Sequence, residues 1–566
     1  MRPVVARQSP ATGVARSADA VLAALFSSRG VTADVQLDYA MKQLLPIRSL
    51  EHVADAVELI LAHRDRHITV IGDFDVDGAT STALLLRCFR RFGFGNVDYL
   101  VPNRFDFGYG LSPPIVDIAA AGQTSLIVTV DNGISSLDGV ERARELGIDV
   151  LVTDHHLPPE VLPDANVIVN PNLTGSAFGS RSLAGVGVAF YVVAALGRRL
   201  AEQGVRGAAR IPLDYLDLVA LGTIADVVPL DHNNRILVSQ GLKRMRAGFV
   251  VPGIRALMAV ADRDVVRLVS QDLGFAVGPR LNAAGRLDDM SIGIECLLTD
   301  NDDTAMQHAA ALDAINRERR DIEQTMREQA FAYVERMSLS NLPDCVCVYD
   351  GSWHQGVVGL VAGRVRERCH RPVIAFANDA DGSLKGSMRS VPGVHARDLL
   401  EAVDTVQPGL ITKFGGHAMA AGLTLPAKHL DTFTTLADTQ LRRLYRHVDF
   451  SGAIVSDGEL PPDLLSLEFA RLLRERGPWG SGFPEPQWHG RFHVVDRRIV
   501  GEHHLKLLVR SVGGGASIDA IAFGQADAET RGVVELAYRL DVNAYRGVER
   551  AQLVVEQIRP LSPSDG

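Results

Sequence analysis

The sequence predicts an α/β protein in four parts: a parallel-sheet domain, a long connecting helix, a smaller α/β domain and a C-terminal OB-like β-barrel. Three observations predict this. In the first half, apolar strand patterns at 68–71, 96–101, 125–130 and 149–153 alternate with helical patterns, as right-handed βαβ crossovers require. From 303 to 338 the chain holds no Pro or Gly and keeps a helical period, which at 1.5 Å per residue spans about 50 Å. Beyond 452 the pattern changes to short strands, at 492–500, 504–509, 517–523, 534–542 and 552–558, with one helix at 463–474.

Length and composition agree. A chain of 566 residues, 46% hydrophobic and 22% charged with 52 glycines, has room for roughly three or four domains and a large core. The expected boundaries are a helical, partly loose leader at 1–50, the parallel-sheet domain at 51–300, the connecting helix at 301–340, the second α/β domain at 341–450 and the barrel at 451–566. The longest uncharged apolar stretch, between Arg181 and Arg198, holds 16 residues, short of the roughly 20 that cross a bilayer. The first residues lack the apolar run of a signal peptide. Five cysteines without CxxC spacing suit a reduced, cytoplasmic protein. Cys345 and Cys347 alternate along a strand pattern and are expected to face one side of it. The net charge of −10 argues only weakly against nucleic acid, because a groove can be basic on an acidic protein.

An amphipathic helix at 51–64 leads into the strand 68–71, which empties into Asp73, Asp75 and Asp77. Three carboxylates on one short turn are costly unless a cation offsets their repulsion, and strand ends are where open parallel sheets hold ligands. The spacing begins like a calcium-binding EF-hand loop, but position twelve is Leu84 where a bidentate Glu is needed. It also resembles the aspartate turn of haloacid-dehalogenase-type phosphatases, a reading that leaves later acidic strand ends without a role. Those ends follow in order. The strand 96–101 runs into a loop with Arg104 among Phe and Tyr, either a packed turn or an Arg offered to an anion. The strand 125–130 ends at Asp131, and the strand 149–153 delivers Asp154, His155 and His156. An apolar helix at 214–224 runs into Asp226, which either caps a turn or joins a metal cluster.

In the second half, 278–286 reads as a Gly-punctuated loop carrying Arg280 and Arg286. Arg317, Arg319 and Arg320 read as a solvated face of the long helix. A strand at 345–349, a helix at 356–368 and a strand at 373–376 open the second α/β unit, where His354 is either structural or functional. Trp479, Phe483 and Trp488 precede the barrel as packing residues.

GDFDVDG (72–78), the Arg104 loop, VTVDNG (128–133), TDHH (153–156) and GTIADVVPL (222–230) resemble the successive motifs of the DHH phosphoesterase superfamily. WHQGVVGLVAGRV (353–365), SMRS (387–390), FGGHAMAAG (414–422) and GPWGSGFPEP (477–486) extend the resemblance to its branch of bacterial exonucleases specific for single-stranded DNA. The similarity covers residues 50–560, and TDHH together with GGHAMAAG is its most specific combination. The resemblance implies a DHH domain, a DHHA1 domain closing over it as the second jaw of a cleft, and two divalent cations, Mn²⁺ or Mg²⁺. Asp75 and Asp77 would each hold one metal and Asp131 both, while His155 and Asp226 would complete the coordination of the second. His156 would sit beside the scissile phosphate. Arg104, Ser387 and Arg389 would cradle a 5′-terminal phosphate, Arg280 and Arg286 would touch phosphates, and His354 and His417 would face the cleft. Many members carry a His four residues before the first metal-binding Asp; here Ile71 stands there, so water or Asp73 would complete the coordination of the first metal.

The expected function is a monomeric 5′→3′ exonuclease that degrades single-stranded DNA to mononucleotides in repair and recombination. Its expected partners are a single-strand-binding protein and a helicase, with no membrane. Two rivals stay open. A phosphodiesterase of short oligonucleotides would not need the C-terminal third. A non-catalytic single-strand-binding scaffold would not need the six acidic and imidazole positions.

Overall fold

The computed structural model describes residues 2–8, 17–102, 110–337, 342–379, 382–545 and 547–561. Its first sheet is parallel throughout, in the order Val97–Leu100, Ile68–Ile71, Leu126–Val130, Asp149–Thr153, Val167–Val169. Every residue of Ile68–Ile71 and Leu126–Val130 is buried, which is why these strands read as unbroken apolar runs rather than alternating ones. The chain leaves Ile68–Ile71 toward one edge and returns on its other side at Leu126–Val130. The crevice at the carboxyl ends of these two strands is therefore a topological switch point, where open sheets of this kind bind ligands. The fifth strand, Val167–Val169, was not expected; three residues are too few to show a period.

The chain divides into two compact units, one of residues 6–314 and 455–566, the other of 1–5 and 315–454. In the first unit the sheet and the barrel share one hydrophobic core. The barrel closes in the order Trp488–Val500, His504–Ser511, Ile518–Ala522, Val548–Pro560, Val533–Tyr545. Trp479 and Phe483 stack at 5.2 Å, Phe26 stacks on both, and the Arg235 guanidinium lies 4.2 Å from the Phe483 ring centre. The helix Ala18–Ser27 buries Val21, Leu22, Leu25 and Phe26 in this core, and Arg29 is held by buried Asp457. The leader expected at 1–50 is thus partly a core element; its residues 9–16 lie outside the described residues.

The stretch expected to be a loop at 278–286 is the helix Gly278–Leu287, entered through a π-helical turn, Leu273–Val277. Pro279 sits in its first turn, where a missing N–H costs nothing. Gly285 serves close approach rather than turning, since a Cβ there would overlap the carbonyl oxygen of Phe74. Arg280 on this helix is buried, its Nε donating to Asp313 (2.9 Å) and its Nη1 to the Ala276 carbonyl (2.6 Å).

The second unit carries a mixed sheet in the order Lys413–Gly416, Ala420–Pro426, Ser383–Arg389, Val373–Asn378, Val346–Tyr349, with only the last pair parallel. Cys345 and Cys347 are both buried, and all five cysteines are free and buried. The long helix is Asp302–Arg336. Arg317 and Arg320 are exposed, but Arg319, expected on a solvated face, is buried against Glu323, which also accepts from Arg364 Nε at 2.9 Å. A buried Arg needs such a partner, and a carboxylate one turn along supplies it. No helix of the described residues is long and apolar enough to cross a membrane.

Because Phe483 is fully buried where the barrel meets the sheet's core, Phe483→Ala should cost about 3–5 kcal/mol. Urea unfolding followed by tryptophan fluorescence checks this; a loss below about 1 kcal/mol would mean that the shared core does not bind the two parts.

Candidate metal centre

Four loops meet at the switch point. Asp75 caps the helix Val76–Phe92, its Oδ1 accepting from the Gly78 N–H (3.0 Å). Asp73, just upstream, is 4% exposed, and its Oδ1 accepts from the Phe74 N–H. Asp77, in the first turn of that helix, meets the N-terminus of a second one, Gly185–Glu202. The N–H groups of Gly185 and Val186 donate to Asp77 Oδ2 and Oδ1 at 2.6 and 2.9 Å. Neither Gly185 nor Gly222 has room for a side chain: a Cβ would come within 2.8 Å of Asp131 Oδ1 and 2.9 Å of Asp77 Oδ1, respectively.

Asp131 stands in left-handed backbone (φ 62°) directly after its strand. Asn132 anchors the turn by donating to the carbonyls of Ile71 (3.1 Å) and Val130 (2.8 Å). After the next strand, Asp154 turns inward and accepts from the backbone N–H groups of Ile134, His155 and His156, and it pairs with His156 Nδ1 at 2.7 Å. Asn172 and Asn170 donate to the carbonyls of His155 and His156. Asp226 caps the helix Leu216–Ala225.

These loops bring three sets of possible ligand atoms within 4.8 Å of one another: Asp73 with Asp75 and Asp131, Asp77 with His155 and Asp226, and Asp131 with His155 and His156. His155 Nε2 lies 3.0 Å from Asp131 Oδ1 and 3.6 Å from Asp226 Oδ2. Buried His155 Nε2 and Asp226 Oδ2 nevertheless make no hydrogen bond among the described residues. Such orphaned atoms, aimed at one another from separate loops, fit a cation that takes both. The donor set, carboxylate oxygens with one imidazole, suits Mn²⁺ and also Mg²⁺. Ile71, at the position where the family resemblance calls for a further His, is fully buried in the apolar core and adds no ligand.

The electrostatics point the same way. Burial, then repulsion from Asp226 and Asp75, pushes the Asp77 carboxyl well above the usual range; burial and four neighbouring carboxylates do the same to Asp131. Burial also raises Asp226, against the opposing pull of His155. Burial holds His155 toward the neutral form, the form that ligates. His156 differs. Burial opposes its charge, but the hydrogen bond and negative charge of Asp154 outweigh this and raise it to about 9. Burial works against the Asp154 carboxylate too, and the same pairing with His156 brings it down to about 2.

Of the other site residues expected from the sequence, Arg104 lies outside the described residues. Arg286 is half-buried on the helix Gly278–Leu287. In the second unit, Arg389 Nη1 donates to Ser387 Oγ (3.1 Å), and Gly359 leaves room for both. His417 sits on the exposed hairpin whose second strand pairs Gly422 with Ser387 and Ala420 with Arg389. His354 lines an open recess of about 420 Å³ with Ile322, Thr325, Met326 and Trp353. Sequence reasoning missed Asp154 as the residue that orients His156, the Asn170/Asn172 pair, and the helix N-terminus on Asp77. The available signals were the TDHH string itself, the NPN run after a strand, and the small-residue start GVGV of an apolar helix.

Comparison with known proteins adds the following. Residues 67–223 match the DHH family N-terminal domain, 343–443 the DHHA1 domain and 456–557 the RecJ OB domain. The single-stranded-DNA-specific exonuclease RecJ of Escherichia coli is 52% identical over 553 residues, 96% of each chain. That of Dickeya dadantii is 52% identical over 98% of each. The crystal structure of RecJ in complex with Mn²⁺ from Thermus thermophilus superposes with a TM-score of 0.77 at 30% identity, covering 96% of this chain and 76% of that one. Its Mg²⁺ complex gives 0.72 at 28% identity, over 96% and 75%.

A centre of buried, mutually repelling carboxylates should couple folding to metal. Mn²⁺ at a hundred times its dissociation constant should stabilise the protein by about 2.7 kcal/mol. Asp131→Asn should be more stable than the parent in EDTA yet lose most of the Mn²⁺-induced rise. Thermal unfolding of both proteins with EDTA and with Mn²⁺ checks this; an equal rise in the variant would remove Asp131 from the ligand set.

Proposed function

The chain belongs to the RecJ family of single-stranded-DNA-specific exonucleases, and from that membership we propose a two-ion phosphodiesterase that degrades single-stranded DNA 5′→3′ to 5′-mononucleotides. The observation that carries the reading is the convergence of Asp73, Asp75, Asp77, Asp131, His155 and Asp226 at the sheet's switch point. Asp73, Asp75 and Asp131 are assigned to one ion and Asp77, His155 and Asp226 to the other, with Asp131 shared. The first ion then rests on carboxylates alone, which offsets the missing imidazole at Ile71. When bound, such a pair of ions lowers the pKa of a water and stabilises charge on the attacking and leaving oxygens.

The protein's own groups do the rest. The Gly185 and Val186 N–H groups fix the Asp77 carboxylate in one orientation. Asp154 holds the His156 ring through Nδ1, setting the face it offers to the scissile phosphate. Ser387 and Arg389, with Arg104, are assigned to the 5′-terminal phosphate; a guanidinium beside a hydroxyl suits a dianion. Arg286 is assigned to a phosphate further along the strand, and His354 and His417 to substrate contacts. The cellular role that fits is repair and recombination in the cytoplasm, as a monomer, with a helicase and a single-strand-binding protein supplying unwound ends.

Single strands labelled at either end, digested with Mn²⁺, decide the matter. Mononucleotides should appear from the 5′ end first. Asp77→Ala should abolish release, and Arg389→Ala should weaken use of 5′-phosphorylated strands by about 10–100-fold, the value of a charge-assisted bond. Asp154→Asn should cost about 10–100-fold, as loss of an orienting partner does. Release beginning at the 3′ end would overturn the assigned polarity and phosphate pocket.

A further inference from the structure

Next to the metal centre lies an apolar surface that none of these assignments uses. Phe275 is 79% exposed and Val227 is 67% exposed. Both positions are conformationally unusual. Val227, directly after Asp226, stands in left-handed backbone (φ 64°), which a β-branched side chain rarely adopts. Phe275 is the middle residue of the π-helical turn Leu273–Val277, a geometry concentrated at functional sites.

The two are brought to the centre by the same packing. A Cβ on Gly274 would lie 3.3 Å from Ile224 Cγ2, and one on Gly278 would lie 3.5 Å from Ala225 Cβ. The turn bearing Phe275 therefore lies on the last turn of the helix that ends in Asp226. The helix that continues from it, Gly278–Leu287, reaches the carbonyl of Phe74 between Asp73 and Asp75. One segment thus packs against the helix ending in Asp226 and against the turn between Asp73 and Asp75, and its Phe275 is exposed to solvent. A ring held in water on a π-helical turn packed against the helix that ends in Asp226 is available to an occupant, and the metal centre names it. A phosphodiester drawn to the ions carries a base on either side, and in a single strand those bases have exposed faces. A phenyl ring accepts the face of any base, so it suits a sequence-independent exonuclease.

We propose that Phe275 is a stacking platform for a nucleobase of the DNA strand close to the scissile phosphate. This rests on the exonuclease reading above. Phe275 is a positioning residue: it fixes the sugar–phosphate path over the ions and carries no proton.

The test is an abasic scan. Oligothymidylates with a single abasic site at each of the first several positions are digested by the parent, Phe275→Ala and Phe275→Trp, and KM and kcat are measured separately. For the parent, one abasic position should raise KM by roughly tenfold, the value of one stacked base. Phe275→Ala should raise KM about as much on the intact strand and show no further penalty at that position, and Phe275→Trp should restore the parent pattern. A 2-aminopurine at that position should be quenched on binding the parent and not the alanine variant. If Phe275→Ala digests intact and abasic strands with the parent's constants, or lowers kcat while keeping the parent's abasic penalty, the platform is overturned. If the parent itself releases no mononucleotide with Mn²⁺, the exonuclease reading falls and the platform with it.

Discussion

Like charges buried together are the constraint on which this fold is built. Asp77 and Asp131 are almost fully buried, and Asp73, Asp75 and Asp226 crowd against them. Two unit charges 4.8 Å apart, the limit within which these ligand atoms gather, repel by roughly 3 kcal/mol at an effective dielectric near 20. Several such pairs would open any loosely held site. The parallel sheet resists by fixing the loops at their strand ends, and the strands are locked by burial on both faces. The N-terminus of the helix Gly185–Glu202 then adds its partial positive charge and two N–H groups to the most enclosed carboxylate. Glycine at 185 and 222 is what lets two helices come that close.

The imidazoles are governed by a separate device. Asp154 holds His156 by Nδ1, and its remaining capacity goes to three backbone N–H groups, which fix the carboxylate in place. Asn170 and Asn172 hold the carbonyls of the same two histidines. His155, its Nε2 turned toward Asp131 and Asp226, is kept toward its neutral form by burial. Two adjacent histidines thus acquire opposite protonation tendencies, one from a carboxylate partner and the other from burial.

How much of this was legible in the sequence follows from range. The acidic strand ends at Asp75, Asp77, Asp131 and His155 could be read because each lies within a few residues of the apolar run that positions it. Asp226 could be seen only as an uncompensated charge, since its partners are some 70 to 150 positions away. Gly185 and Val186 were invisible because they act through the backbone, which every residue carries. The stretch 278–286 read as a loop because glycine was credited with turning, whereas Gly285 is there to let a carbonyl approach. Arg280 read as a phosphate contact and Arg319 as part of a solvated face because sequence gives no sight of Asp313 or of the fold that buries Glu323. The barrel's strands were legible by period, but its sharing of one core with the sheet, through Phe26, Trp479 and Phe483, depends on contacts spanning nearly the whole chain.

Backbone strain bears on the argument, because two of the six non-glycine residues at positive φ among the described residues stand at the ligand cluster. Asp131 and Val227 are both non-glycine residues at positive φ, and each adjoins or belongs to the ligand cluster. For Asp131 the strain is modest, since aspartate tolerates left-handed backbone, and the return is a carboxylate turned back under the strand. Val227 is harder to account for. Glycine or asparagine would sit there at lower cost, and Asp226 would be presented equally well. A β-branched residue held against its own preference and left in water directly after a ligand residue is the kind of outlier that points to function. A substrate with flat, apolar faces, as proposed for Phe275, would gain from such exposure.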